Sequence, residues 1–540
     1  MDGGKRQSIM AQRIKAEVKR SAEARREKQY IQVLSMDTNS DATVGIKQLD
    51  PKSTPSRSIE IPQTHAGSQS SNTTQPDDMP DTWDILHTIG PPINKHDVEA
   101  DFIMIFLDYV FPFLFPFYRP PIFDCGRAWL LALLRDNKAL FHIAMSLSSY
   151  FFTLIITNDR PGYNGACKVY TWNKLAGHMD VAIKSIQDEM QALNKQGTDA
   201  PLLDRVHALD SITQLMVFEG AMWRTPDWDV HLTAAATIFK GIFEEYGITN
   251  GLPDMEKVIL TMNRPPFTLG DRHVWNTDQA SFRFFAAILL YADIISSATL
   301  KRRPYLQEYH THLIAGRNSV GDSAFQLKME YFIGCEGWVL LTIAKITELY
   351  IWKNEAATAG TFDPAELVVQ GEQISQELST GLTELDNNSS TLSTPRLQDI
   401  IHSYYRSDSQ SQVSEQTVAT RIWAHAAKIY LAVVVQGWEP QSSSIHLNVT
   451  AVLQQLQAVS SPATLRSLVW PFFVAGCLAE EGQEQSFRDI ASTSGALLTF
   501  GSLGEALRIM EQVWQKRNQL DKQWDLTACF NLLGTQVLLA

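Results

Sequence analysis

The stretch VYTWNKLAGHMDVAIKSIQDEMQALNKQG, residues 169–197, shows the pattern that decides the fold class. Its apolar side chains recur every three or four positions, at Trp172, Leu175, Met179, Ile183, Ile186, Met190 and Leu193. That spacing places them along one face of an α-helix, whereas a strand would alternate at every second residue. Gly197 follows the last of them, and glycine often ends a helix. The stretch therefore predicts a long amphipathic helix that packs against a core.

The same spacing continues through most of the chain after about Val98. It occurs in LDRVHALDSITQLMVFEGAMW, DVHLTAAATIFKGIFEEYG, SFRFFAAILLYADIIS, GCEGWVLLTIAKITELYIWK, ATRIWAHAAKIYLAVVVQGW, TLRSLVWPFFVAGCLA and GEALRIMEQVWQKR. Strand-like alternation is nearly absent, and no repeat of roughly 30 to 50 residues recurs, which disfavours a regular solenoid. We predict an all-α protein, built as a large irregular helical array and preceded by a disordered N-terminal region.

Composition divides the chain into three parts. Residues 1–36 form a basic N-terminal segment. Residues 37–97 form a Ser/Thr/Pro-rich linker, predicted to be disordered because it has too few apolar side chains to offset the entropy of ordering. Residues 98–540 form the predicted helical domain. A second polar break, from ELDNNSSTLSTPRLQD to SYYRSDSQSQVSEQ, predicts a flexible loop near residues 384–416.

Positive charge is concentrated at the N-terminus of a chain whose formal net charge is −13. Residues 1–30 hold nine Lys and Arg against four Asp and Glu, out of totals of 46 and 59. An acidic surface repels phosphate, so contact with nucleic acid is expected only at this basic segment. Three interpretations remain open there: a solvated tail, a nuclear import signal, or weak contact with DNA phosphates. The candidate residues are Lys5, Arg6, Lys19, Arg20, Arg25, Arg26 and Lys28.

Two apolar stretches are long enough to raise the question of a membrane span. Residues 102–118 contain Pro112 and Pro116, which would break a helix before the roughly 20 residues that a span needs. Residues 139–157 contain His142 and three serines, which lower the hydrophobicity. We predict buried helices of a soluble core in both places and no membrane contact. The five cysteines are more than 40 residues apart, which suits buried thiols and forms no disulfide or zinc pattern.

The common catalytic motifs are missing from the chain. It has no GxGxxG, GxxxxGK[ST], GxSxG or HExxH, and thus none of the usual phosphate loops, hydrolase elbows or zinc-protease helices. One match, DDMPD at residues 77–81, fits the DDxxD pattern with which helical terpene synthases hold magnesium. Pro76 and Pro80 flank or interrupt the run, and no second magnesium motif occurs. A terpene-synthase-like enzyme is therefore retained only as an alternative.

Histidine and tryptophan positions favour packing over ligand binding. His310 and His312 lie two residues apart, which places them on different faces of a helix and disfavours a shared metal ion. Four tryptophans recur at helical spacing with other apolar residues and are predicted in the core: Trp338, Trp352, Trp423 and Trp470. We predict no catalytic residue, no metal site and no cofactor.

Several blocks share a further likeness. They are LRSLVWPFFVAGCLAEEGQEQSFRDI (465–490), GSLGEALRIMEQVWQKR (501–517), IGCEGWVLLTIAKITELYIWK (333–353), WDVHLTAAATIFKGIF and FPFYRPPIFDCGRAWLLALLRDNKALFHIAMSLSSYFF. Together they resemble the regulatory region of fungal zinc-cluster transcription factors, the fungal-specific transcription factor domain. The resemblance implies a nuclear transcription regulator, of a kind that often controls a secondary-metabolite biosynthetic gene cluster. It also implies protein partners in the transcription machinery and leaves homodimer formation open.

The N-terminus departs from that family. Its members carry six clustered cysteines that bind two zinc ions near their start, whereas this chain has no cysteine before Cys125. We therefore expect DNA contact to be indirect, through a partner, or weak, through the basic segment, unless an upstream exon supplies the zinc cluster. An interaction scaffold that never approaches DNA is a further alternative.

Overall fold

The computed structural model describes residues 95–120, 126–159, 165–222, 228–262, 274–317, 325–388, 409–459, 461–533 and 537–539. Within these ranges the chain is helical, apart from a two-residue β1 (Ile248–Thr249) paired antiparallel with β2 (Leu252–Pro253) and one isolated bridge. The predicted all-α array is confirmed. The basic segment 1–36 and nearly all of the linker 37–97 lie outside the described residues, so both remain predictions.

The described helices before residue 320 form the first half of the array. In chain order they are α1 (Lys95–Ile105), α2 (Phe111–Leu114), α3 (Ala128–Asp136), α4 (Lys138–Asp159), α5 (Gly165–Gln196), α6 (Leu202–Met222), α7 (Trp228–Tyr246), α8 (Met255–Thr261), α9 (Thr277–Leu300) and α10 (Gln307–Leu313). A π-helical turn, Phe106–Val110, joins α1 to α2. Short 3-10 turns occupy Gly197–Asp199 and, after α10, Met329–Tyr331.

The described helices of the second half are α11 (Gly337–Ala359), α12 (Pro364–Asn388), α13 (Ser409–Gln436), α14 (Ser443–Gln457), α15 (Pro462–Ser467), α16 (Val469–Cys477), α17 (Glu484–Ser492), α18 (Leu503–Gln515) and α19 (Leu526–Phe530). Four 3-10 turns lie among them, at Glu481–Gln483, Gly495–Thr499, Arg517–Gln519 and Asn531–Leu533. Neighbouring helices pack in pairs, α4 with α5, α6 with α7, and α13 with α14.

The opening stretch of the sequence forms α5, as predicted. The helix ends at Gln196, and Gly197 adopts φ 59°, a left-handed conformation that glycine enters without a steric penalty. Leu175 and Met179 are buried, but Ile183 is 37% exposed and the small Ala182 is buried in its place. The buried positions of α5 are therefore Leu175, Met179, Ala182 and Ile186. Ala182 takes the buried place that was predicted for Ile183, one residue later.

The apolar stretch 102–118 is broken, as its prolines predict. α1 ends at Ile105, and the π-helical turn carries the chain to Phe111, whose backbone N–H donates to the Phe106 carbonyl. Pro112 follows directly and has no N–H to continue the ladder of hydrogen bonds. A π-turn next to such a position widens the helix without ending it at once. Regular helix then stops at Leu114.

The centre of the fold is α9. Of its 24 residues, 20 are buried, from Gln279 to Thr299. It packs against α3, α6, α7, α11 and α19, so that helices distant in sequence meet on its surface. A helix that is apolar on all sides is buried on all sides. α16, nearer the C-terminus, is also buried on all sides. All nine of its residues are buried, and it packs against α13, α14 and α18.

Three described helices are long and apolar enough to cross a membrane by length and composition alone: residues 138–155 of α4, all of α9, and residues 415–436 of α13. The share of each window that is buried inside the protein is 50% for α4, 89% for α9 and 72% for α13. The apolar surfaces of α9 and α13 are thus largely covered by other helices. Absence of membrane contact stays a prediction.

The loop predicted near residues 384–416 covers residues that are helical in the structure, at both its beginning and its end. α12 continues to Asn388, and α13 begins at Ser409. Polar composition alone does not end a helix, because a solvent-facing helical end also carries polar side chains. Residues 389–408 lie outside the described residues, and a loop within them remains a prediction.

Candidate regulatory site

The C-terminal sequence block forms part of the core. Trp470 of α16 stacks on Trp423 of α13, with ring centroids 5.3 Å apart and an interplanar angle of 5°. Tyr430 meets Trp470 edge to face at 6.1 Å. Trp338, Trp423 and Trp470 are buried, which confirms their predicted place in the core, and Trp352 is half-buried. The stacked rings of Trp423 and Trp470 stabilise packing between helices and are not free to stack on a ligand.

The same block joins α16 to α18. The Trp514 indole N–H donates to the Gly476 carbonyl at 2.8 Å, and a Cβ at Gly476 would overlap the Met510 methyl group. The Arg488 guanidinium lies 4.8 Å from the Trp514 ring centroid and pairs with Glu511 at 3.2 Å. Each side chain is engaged in packing or in an ion pair. The block therefore acts as a scaffold.

The described cysteines suit packing better than chemistry. Cys335, Cys477 and Cys529 are free and buried. Burial raises the pKa of the Cys335 and Cys477 thiols well above the usual value, so both stay protonated near neutral pH. The thiolate is the reactive form of cysteine. The thiols of Cys335 and Cys477 are thus inert, and neither redox chemistry nor metal binding is indicated there.

A buried polar cluster ties the chain after α9 back onto that helix. Asp293 is fully buried and accepts from the backbone N–H groups of Tyr305 and Leu306, both at 2.8 Å. Arg302 Nη1 lies 3.5 Å from the same carboxylate. Lys301, at φ 54°, turns the chain out of α9 and directs it back. Two N–H donors and a nearby cation make the buried carboxylate tolerable.

Arg302 extends this cluster to α7. Its guanidinium lies 3.7 Å from the Tyr305 ring centroid, and Nη2 lies 3.3 Å from Asp229 Oδ1 and 3.0 Å from Ser296 Oγ. His310 of α10 is also buried, with Nε2 3.3 Å from Asp293 Oδ2 at an angle that gives no hydrogen bond. Four elements of the fold therefore meet at this cluster, where one arginine lies between two carboxylates.

An open groove of about 860 Å³ borders the cluster, and His310 forms part of its wall. The groove lies between α10 and α11, with Trp338 and Leu341 among its apolar residues. Ion pairs at its rim join Lys240 to Glu308 at 3.7 Å and Lys345 to Glu377 at 2.7 Å. This mixture suits a ligand or peptide with both polar and apolar groups, and we treat the groove as the candidate regulatory site.

A second polar region lies where α5, α6 and α9 meet, beside a hollow of about 460 Å³. His207 Nε2 lies 3.2 Å from Asp278 Oδ1, and this contact raises the pKa of His207. Burial raises the pKa of Glu189 and brings the pKa of Asp210 to about 8. In the described part of the chain no three His, Cys, Asp or Glu side chains are arranged to hold a metal ion.

The residues singled out from the sequence fall into two groups. His310 is buried and His312 half-buried on α10. The seven basic candidates, from Lys5 to Lys28, and the acidic run at 77–81 lie outside the described residues. Sequence reasoning missed the cluster around Asp293 and Arg302. A single carboxylate inside an otherwise apolar helix was the signal that could have found it.

Comparison with known proteins gives one consistent likeness. Residues 101–540 match the family described as "Fungal specific transcription factor domain". Transcription factor dibT of Pestalotiopsis microspora is 36% identical over 586 aligned positions, which cover 100% of this chain and 92% of that protein. Pestheic acid cluster transcriptional regulator 3 of Pestalotiopsis fici is 26% identical, over 79% of this chain and 72% of that protein.

A third relative has the same kind of role. The trichothecene biosynthesis transcription regulator TRI10 of Trichoderma arundinaceum is 24% identical, over 80% of this chain and 95% of that protein. No solved structure matches the chain.

Proposed function

Because this chain belongs to the fungal-specific transcription factor domain family, we propose that it regulates transcription of a secondary-metabolite biosynthetic gene cluster. The observation that carries the proposal is the extent of the similarity. The match to the family spans residues 101–540, and the 36% identical transcription factor aligns along the whole chain. Two other relatives are named as regulators of pestheic acid and trichothecene biosynthesis.

The structure supports a regulatory scaffold. Trp338 and Trp470 of the family-like sequence blocks pack in the core, and burial raises the pKa of the Cys335 and Cys477 thiols. The polar cluster around Asp293 is held by internal hydrogen bonds and ion pairs. A helical enzyme that uses the acidic run at 77–81 gains no support from the relatives, which are named as transcription regulators.

The route to DNA is part of the proposal. The domain is acidic, so we assign phosphate contact or nuclear import to the basic candidates between Lys5 and Lys28, with sequence reading supplied by a partner. The protein would then act in the nucleus together with the transcription machinery. Homodimer formation would add a second basic segment to the assembly and so strengthen weak phosphate contact.

Two linked measurements test the proposal. Deletion of the gene is expected to change transcript levels of a contiguous set of biosynthetic genes by tenfold or more, and chromatin immunoprecipitation of the tagged protein should enrich their promoters. An untagged strain serves as the control for enrichment. A changed transcript profile without promoter enrichment would favour the scaffold that never approaches DNA. Unchanged transcripts of every biosynthetic cluster would contradict the proposal.

A further inference from the structure

Arg466 is a buried cation without an anionic partner. It lies on α15, 8% exposed, and its Nη1 donates to the Leu114 carbonyl at 2.9 Å. Its Nε has no hydrogen-bond acceptor. Among the described residues, no carboxylate pairs with it. The half-buried Arg302 differs, since its guanidinium has both Asp229 and Asp293 beside it.

The surroundings of Arg466 are neutral. The closest electrostatic neighbour is Tyr291 of α9, whose hydroxyl is kept neutral because burial raises its pKa well above the usual value. Gly501, at φ 109°, brings its backbone against the guanidinium, and a Cβ there would lie 3.3 Å from Arg466 Nε. Burial lowers the pKa of Arg466 to about 10, so it remains positively charged at pH 7.

A partly enclosed cavity of about 40 Å³ includes Arg466 in its lining. Arg466 and Ser467 supply polar groups to its lining, and Phe115, Met216 and Ile288 are among the apolar residues. The volume holds a single small ion or about three water molecules, because one water needs about 10–15 Å³ by this measure. A drug-sized effector is too large for it.

A lone guanidinium in apolar surroundings is unfavourable by several kcal/mol unless an anion or further hydrogen bonds compensate for lost hydration. One carbonyl acceptor satisfies only one of its five N–H groups. The space beside it has the size of a chloride or formate ion. We propose that Arg466 and this cavity form a binding site for one small monovalent anion, such as chloride or a one-carbon carboxylate.

The bound anion would connect α15, which carries Arg466, with α2, α6 and α9. Arg466 reaches α2 through the Leu114 carbonyl, while Met216 and Ile288 bring α6 and α9 to the same cavity. An anion that binds the folded state alone raises stability in proportion to the logarithm of its concentration above Kd. The site does not depend on which genes the protein regulates.

Thermal unfolding of the full chain tests the site. Sodium chloride, formate and acetate are compared with sodium gluconate at equal ionic strength, since gluconate is far larger than the cavity. We expect chloride or formate to raise Tm by about 1–3 °C over gluconate, and the rise to saturate with concentration. The order of Tm among chloride, formate and acetate then shows which anion size the site prefers. Equal Tm values in all four salts would overturn the proposal.

Two variants identify the location. Arg466→Met should abolish the anion-dependent shift, whereas Arg488→Met, at an arginine with carboxylate partners, should keep it. Gly220→Ala narrows the same cavity while retaining Arg466, and its new Cβ would have no neighbour closer than 4.0 Å. That variant should fold normally and lose most of the shift. If both Arg466→Met and Gly220→Ala keep the full shift, the anion binds elsewhere and the assignment is wrong.

Discussion

The carboxyl group of Asp210 lies fully buried on α6, near His207 of the same helix and Ser281 of α9. The Ser281 hydroxyl donates to the Asp278 carbonyl, and both Asp210 carboxyl oxygens are left without a hydrogen bond. Burial raises its pKa to about 8. The unfolded carboxyl ionises near pH 3.9, so the folded state holds this proton more tightly and stability falls as pH rises from about 4 to 8.

Asp210→Asn keeps the shape of the side chain and cannot ionise. We expect it to stabilise the fold by about 1–3 kcal/mol at pH 8.5 and to change stability little at pH 4.5, because only the ionised carboxylate is penalised by burial. Urea unfolding at the two pH values measures this. Asp489→Asn, at an exposed position of α17, is the matched control. A loss of stability at pH 8.5 in Asp210→Asn would show that the carboxylate has a partner in solution.

A histidine pair between α4 and α5 gives pH dependence of the opposite sign. The Nδ1 atoms of His142 and His178 are 2.8 Å apart, which requires one ring to donate and the other to accept. Burial is the main cause that lowers the pKa of His142. Since the unfolded histidine binds its proton more readily, this contribution is complete above about pH 6.5 and is lost as pH falls below that value.

His142→Gln should therefore reduce the acid sensitivity of the fold. As pH falls below about 6.5 the unfolded chain takes up a proton at His142 that the partly buried ring of the folded protein resists, whereas glutamine takes up none. We expect the difference in unfolding midpoint between pH 7.5 and pH 5.5 to be smaller in the variant than in the wild type. An identical or larger pH difference in His142→Gln would contradict this account.

Helix ends show most clearly which features of the elements could be predicted. The stops at Gly197 and Gly247 follow from residue type, and α5 and α7 end directly before them. The buried stripe of α5 was predicted one position off at Ile183, because periodicity cannot tell a small buried alanine from a larger neighbour. The Asp293 carboxylate inside an apolar helix indicates a buried polar cluster, but its donors could not be predicted, since they come from a turn that the sequence does not mark.

Two glycines next to the ends of α11 allow a test of close packing between elements. Gly334, at φ 81°, faces Phe117, and a Cβ there would overlap the ring. Gly360, at φ 72°, caps the other end of α11 with no atom within 4 Å of an ideal Cβ. Both positions carry the conformational penalty for a side chain, but only Gly334 adds a steric clash.

Gly334→Ala is expected to lower the free energy of unfolding by about 3 kcal/mol or more, and Gly360→Ala by about 1 kcal/mol. The Phe117 ring is buried, so it cannot move aside without disturbing its neighbours. Chemical denaturation of the two variants beside the wild type measures the difference. Equal losses would mean that the chain around Phe117 adjusts freely, and that the sequence block 333–353 does not require a glycine for packing.

Across the whole molecule, fold class and family followed from the sequence, whereas the polar interior did not. Helical periodicity and several blocks of similar sequence extend over hundreds of residues. An error in predicting one residue's position therefore changes neither the fold class nor the family. The sequence does not identify the contacts that Asp210, Asp293 and Arg466 make when they are buried, because these contacts form only in the folded chain. The groove between α10 and α11 likewise arises only when the chain is folded.

The separation of charge along the chain leads to a prediction about the whole molecule. The first thirty residues carry an excess of positive charge, in a chain whose formal net charge is −13. If the basic segment contacts phosphate, its neutralisation should weaken promoter occupancy about tenfold and reduce the salt dependence of binding, because fewer counterions are released from DNA. The variant replaces all seven candidates: Lys5→Gln, Arg6→Gln, Lys19→Gln, Arg20→Gln, Arg25→Gln, Arg26→Gln and Lys28→Gln.

Import and phosphate contact are separated by measuring the nuclear fraction of the tagged protein beside promoter occupancy. Lower occupancy with an unchanged nuclear fraction indicates phosphate contact, whereas loss of both that is rescued by a fused import signal indicates import. The matched control substitutes exposed lysines of the helical domain, Lys184→Gln, Lys195→Gln and Lys516→Gln, and should change neither. If the N-terminal variant also changes neither, the segment is only solvated charge, and a partner must supply all contact with DNA.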